Sequence, residues 1–173
     1  MNMKKLSMIL TTLFGIGLLI FNSCGTVPIT GRRQLNLVSD GEILAASATQ
    51  YRQFISKSQL SHNSTYNNKV TQVGRRLAAA TNIYLKQNGY ESMLSTLSWE
   101  FNVVDSKQVN AFCMPGGKIV VYEGLLPYTQ NEASLAIVLG HEIAHAVAKH
   151  SAEQLTKQMN QQMGTNILGT VLN

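Results

Sequence analysis

The chain has 173 residues, 13% of them charged, and a formal net charge of +5. That length buries one core rather than two, so one globular unit is predicted. No stripe of lysine and arginine interleaved with aromatics runs along it, and no nucleic-acid partner is expected.

Lys4 and Lys5 precede an apolar run from Leu6 to Phe21, followed by Asn22-Ser23-Cys24. Residues 6–21 fall short of the roughly 20 needed to cross a bilayer as a helix, so residues 1–23 read as an export signal. Ser23 before Cys24 and Gly25 after it resemble a bacterial lipoprotein processing site. Cys24 is then the lipidated first residue of the mature chain, holding it to the periplasmic side of the inner or outer membrane. Setting aside Lys4 and Lys5 leaves 12 of the 14 basic side chains against 9 acidic ones, a net +3. With Cys24 carrying lipid, Cys113 is the only other thiol, and the fold must stand without an intrachain disulfide. Residues 24–38 suit a tether, and residues 39–173 form the domain.

Ser39 and Glu42 have the spacing of a capping box, predicting a helix from near Asp40 to near Lys57. His62 sits in the polar segment that follows and reads as solvated. Val70, Val73, Leu77, Ala80 and Tyr84 recur at helical spacing as the core face of a second helix ending near Asn88-Gly89. Leu97, Trp99, Phe101 and Val103 alternate, which predicts a strand. Val109 to Met114 and the run KIVVYEG flank Pro115-Gly116-Gly117 and read as a hairpin, with Cys113 a small buried hydrophobe. Arg75, Arg76 and Lys118 read as solvated charge. Asn131 caps a long helix predicted to continue to about Met159, and Gly140 inside it invites a packing reason such as close approach of a strand. The fold class is therefore α+β, with helices around a small antiparallel sheet or hairpin.

That last helix carries LGHEIAHAVAKH, Leu139 to His150. Four residues turn a helix by about 40° beyond one turn, so His141 and His145 leave the same face and can grip one metal ion. Glu142 lies beside that face, placed to take a proton from water without being a ligand, which is the physical content of H-E-x-x-H. Shuffling this composition yields the pattern in roughly 0.004 of chains, which favours chemistry over an ordinary core helix. The chemistry is metal-assisted hydrolysis of a peptide bond, Glu142 taking the proton and returning it to the leaving amine. Zinc sites of this kind use three protein ligands. The pattern that brings back a third histidine after a glycine has Ala148 and Ser151 at those positions, and is excluded. On a continuous helix His150 faces away from the metal and serves packing or hydrogen bonding, and Glu153 lies too far along to reach it.

Three blocks, VPITGRRQLNLVS (Val27 to Ser39), VNAFCMPGGKIVVYEGLL (Val109 to Leu126) and LAIVLGHEIAHAVAKHSAEQ (Leu135 to Gln154), occur in order across nearly the whole exported chain. With them the chain resembles the zinc metallopeptidases of family forty-eight, the HtpX-, BepA- and LoiP-like enzymes with their mitochondrial inner-membrane and prenyl-protein relatives. The resemblance implies a gluzincin fold with the motif on a long central helix, one Zn2+ per chain on His141 and His145, and Glu142 as catalytic base. It also implies that the strand holding Asn110, Ala111 and Phe112 lies above the helix, where its edge binds protein or peptide substrates; the residues read equally as a plain core strand. The third ligand of the family is a glutamate from a later helix, and residues 154–173 carry no Glu, Asp, His or Cys. The domain therefore reads as incomplete at its C-terminus, a partial peptidase of the bacterial cell envelope acting on misfolded or misassembled proteins. The alternative is an inactive relative, a chaperone-like binding lipoprotein with an exposed apolar tail at Asn166 to Leu172.

Overall fold

The computed structural model describes residues 24–26, 31, 33–35, 38–150 and 153. The expected export signal, the side chain of Cys24 and the tail Asn166 to Leu172 lie outside the described residues. Among the described residues no helix is long and apolar enough to cross a membrane. The stretch expected to be a tether carries a short antiparallel pair, β1 (Cys24–Thr26) and β2 (Arg33–Leu35), with Cys24 opposite Leu35. It belongs to one of two compact units; the other, Ser39–Ala152, holds everything that follows.

Helix α1 (Asp40–Lys57) starts where the sequence predicts. Ser39 Oγ accepts from the Glu42 amide at 3.3 Å, and the Glu42 carboxylate accepts from the Ser39 amide at 3.0 Å. Together they satisfy two amides that would otherwise open the helix unpaired. Helix α2 (Ser64–Gln87) ends at Asn88, with Gly89 at φ +79°. Its buried face is Val70, Val73, Gly74, Ala78 and Leu85. Ala80 and Tyr84 of the predicted stripe are exposed, because 3.6 residues per turn carries the buried face one residue further along than an alternating three-and-four count does. A short 3-10 helix (Glu91–Thr96) then leads into the sheet.

The sheet differs from the antiparallel arrangement predicted. Its strands are β3 (Glu100–Val104), β4 (Ala111–Met114) and β5 (Lys118–Tyr122), in the order β3-β5-β4. The β4–β5 hairpin turns at Gly116 and Gly117, both at positive φ as only glycine adopts cheaply, and is antiparallel as expected. β3 pairs parallel with β5. Parallel neighbours need a connection of about a dozen residues, and the segment 105–117, which includes β4, supplies it. β5 is thus central: Ile119, Val120 and Val121 are all fully buried, as befits a strand covered on both faces. One face joins Ile119 and Val121 to Val70, Val73, Leu139 and Ile143; the other joins Val120 to Tyr51 of α1. Lys118 is not the solvated charge predicted, since it is half-buried, ion-paired with Glu100 and bonded to the Ser98 carbonyl at 2.8 Å. Arg76 pairs with Glu132 at 2.9 Å on the surface.

Helix α3 (Glu132–Val147) begins as predicted, Asn131 Oδ1 accepting from the Ser134 amide at 2.8 Å. It is interrupted before the predicted end: Ala148 and Lys149 leave the helix, His150 and Glu153 are helical again, and the rest of the predicted span lies outside the described residues. Lys149 adopts φ +56°, the left-handed turn that breaks the helix, and its ammonium meets Asp40 of α1 at 2.5 Å across 109 residues. Among the described residues Gly140 has no packing reason, because a Cβ built there meets none of them within 4 Å. Gly140→Ala is therefore expected to stabilise the fold by about 0.5–1 kcal/mol, read as a raised thermal midpoint. A lowered midpoint would contradict the open space seen there.

Candidate metal centre

Burial sets the rotation of α3. Leu135, Leu139, Ile143 and Val147 recur every four residues and are all buried, each worth about 1.5–3 kcal/mol by area removed from water. His141 lies about 200° from Leu139 on the helix, so the core stripe turns His141 and His145 outward. Their rings meet edge to face with centroids 4.4 Å apart, and the two Nε2 atoms are 2.9 Å apart. Two nitrogens sharing a tetrahedral zinc at 2.0–2.1 Å stand about 3.3 Å apart, so a small opening of this pair admits the ion. Imidazole is also the donor chemistry zinc prefers. The pair fits a metal. Among the described residues no group of three His, Cys, Asp or Glu is arranged to hold one.

Strand β4 packs on α3, and Ala111 and Cys113 turn into the cluster that contains Leu139 and Ile143. The amide of Tyr122 donates to the Asn110 carbonyl at 3.0 Å, which fixes the alternation: Asn110 and Phe112 bond toward β5, while Ala111 and Cys113 present N–H and C=O to the open edge. Among the described residues nothing pairs with that edge. Of the three strand residues singled out in the sequence, only Ala111 serves both the helix side and the edge. Asn110 is exposed. Phe112 points to the opposite face, its ring 5.3 Å from Phe54 and 6.3 Å from Tyr122.

Cys113 was legible only as a small hydrophobe, and its place beside the motif is new. Burial pushes its thiol up to about 12, and the negative charge of Glu142 adds to the rise. It stays protonated and inert. An unfolded thiol ionises near 9.0, so stability from the protonated thiol is full below that pH and is lost as pH rises toward about 12. In a Cys24→Ser background, thiolate absorbance should be missing from the folded chain at about pH 10 and appear on unfolding. Thiolate in the folded chain at that pH would contradict the burial.

His150 is the largest departure. Expected to face away and to serve packing or hydrogen bonding, it makes such a contact but on the unexpected side, returning to His145, Nδ1 to Nδ1 at 2.5 Å with ring centroids 4.7 Å apart. The cause is the end of α3 at Val147 and the left-handed turn at Lys149. His62 is exposed, as expected. An apolar cavity of about 210 Å³, lined by Ile43, Leu44, Met93, Leu97 and Ala146 among others, lies around the helix from the imidazoles and includes none of them.

Paired imidazoles flanking a glutamate on a helix, beneath an open strand edge, are the arrangement of a metallopeptidase. The chain belongs to peptidase family M48, whose family model matches residues 64–172. It is similar to mitochondrial metalloendopeptidase OMA1 of Schizosaccharomyces pombe, 36% identical over 141 residues, which cover 82% of this chain and 40% of that protein. The Arabidopsis thaliana protein of the same name is 51% identical over 72 residues, 42% of this chain and 15% of that protein. The beta-barrel assembly-enhancing protease of Escherichia coli is 25% identical over 134 residues, 78% of this chain and 25% of that protein. The chain thus spans less than half the length of these relatives.

Proposed function

We propose that this chain carries the catalytic motif of a zinc-dependent endopeptidase of the bacterial cell envelope, with one zinc ion per chain held by His141 and His145 and with Glu142 as its base. The observation that carries the reading is the convergence of the two Nε2 atoms, 2.9 Å apart, on a helix whose next residue after His141 is a glutamate. Zinc, when bound, supplies a Lewis acid that polarises the scissile carbonyl and brings the pKa of water to about 7. Glu142 accepts the proton of the attacking water on its carboxylate and returns it to the leaving amine. Ala111 and Cys113 hold the substrate extended by pairing their free backbone groups with it, while Asn110 at the strand's start lies within reach of one end. The gluzincin-like fold, with the motif on its central helix, follows from the same placement.

Export by residues 1–23 and a lipid on Cys24 place the domain on a membrane surface, where misfolded or misassembled proteins are its substrates. The name of the Escherichia coli relative, an assembly-enhancing protease, supports that setting.

The test is metal content after chelator dialysis and zinc return, with casein cleavage measured beside it. One zinc per chain, lost in His141→Ala and His145→Ala together with cleavage, is the expected result. Casein held without cleavage and without zinc would instead favour the binding lipoprotein, a reading to which the lack of a third donor among the described residues gives weight.

A further inference from the structure

The contact between His145 and His150 has no part in the chemistry above. On a regular helix, five residues turn by about 500°, placing the later side chain roughly 140° away. His150 reaches His145 only because the chain leaves the helix. Ala148 N–H closes the last helical bond to the Ala144 carbonyl at 2.8 Å, Lys149 N–H bonds the Ala146 carbonyl at 3.2 Å, and Lys149 itself sits at φ +56°. A side chain other than glycine, asparagine or aspartate in that region is uncommon, and the conformation persists where surroundings hold it. In this conformation the Lys149 ammonium pairs with Asp40 of α1. The outcome is a chain of ring nitrogens: His141 Nε2 to His145 Nε2 at 2.9 Å, then His145 Nδ1 to His150 Nδ1 at 2.5 Å.

The geometry points to His150 as a positioning residue of the metal centre, an inference that rests on the zinc site proposed above. Two nitrogens at hydrogen-bond distance share one proton. When the Nε2 lone pair of His145 faces the metal, the proton of that ring is on Nδ1, and His150 Nδ1 accepts it. The bond selects the tautomer of His145 and fixes the rotation of its ring. His150 approaches the nitrogen of His145 opposite to the one facing His141, so it does not complete the ligand set. A partner of this kind typically contributes 10- to 100-fold to metal affinity.

Zinc affinity is measured by chelator competition on the full chain, wild type beside His150→Ala, His150→Asn, His141→Ala and His62→Ala. His150→Ala is expected to bind zinc about 10- to 100-fold more weakly, with His150→Asn, whose amide oxygen can accept the same proton, recovering part of the loss and His62→Ala unchanged. In the zinc-free wild type, nitrogen NMR of the labelled rings is expected to show His145 protonated at Nδ1. This second reading stands even where a variant folds poorly. Wild-type affinity in His150→Ala, an Nε2-protonated His145, or three imidazoles around zinc by X-ray absorption would each overturn the positioning role. A wild-type chain that takes up no zinc, or His141→Ala that binds it undiminished, would instead remove the zinc site on which the inference rests.

Discussion

Glu142→Gln is expected to lower casein cleavage by about 10²- to 10⁴-fold, the usual weight of one positioned acid–base group. Zinc uptake should stay intact. The amide keeps the size and shape of the carboxylate, so the core stripe of Leu139 and Ile143 on either side of it is undisturbed. It cannot accept a proton from water at neutral pH. Loss of zinc with loss of cleavage would make Glu142 a ligand rather than a base, and unchanged cleavage would remove it from the chemistry. A by-product checks its location: removing the charge should ease the Cys113 thiol only partly downward, because burial is the larger cause of the rise.

Leu139→Ala is expected to cost about 2–5 kcal/mol, the range for emptying a fully buried leucine site. Leu139 is 0% exposed, whereas Ile137, two residues earlier on the same helix, is 74% exposed. Ile137→Ala should therefore shift stability by less than about 0.5 kcal/mol. Denaturant midpoints of the two variants measure the rotation of α3. If Ile137→Ala proved the costlier, the helix would be turned half a revolution and His141 and His145 would point into the core.

The local features of this fold could be read from neighbouring residues because their physics is local. Ser39 and Glu42 form their capping box within three residues, Asn131 caps α3 through Ser134, and Pro115-Gly116-Gly117 makes the tight turn that joins β4 to β5. The four-residue spacing of His141 and His145 likewise fixes a shared helix face wherever the helix lies. What escaped was set by partners distant in sequence. The parallel pairing of β3 with β5 depends on which strand takes the centre of the sheet, and Ile119, Val120 and Val121 are apolar on both faces, so alternation could not orient them. The end of α3 coincides with the left-handed turn at Lys149, whose ammonium meets Asp40 at the start of α1. That turn brings His150 from the far side of the helix to the flank of His145, and no periodicity in LGHEIAHAVAKH signals it. Gly140 misled in the opposite sense, since low helix propensity suggested a close neighbour where the structure has open space.

Family membership speaks for the motif as a whole, and the relatives matched extend well beyond the length of this chain. The chemistry assigned to individual side chains rests on the imidazole pair. Anomalous diffraction at the zinc edge from crystals of the full chain addresses it directly. One peak within about 2.0–2.1 Å of both the His141 and the His145 Nε2 atoms is the expected result. Zinc seated elsewhere, with those two rings turned apart, would contradict it.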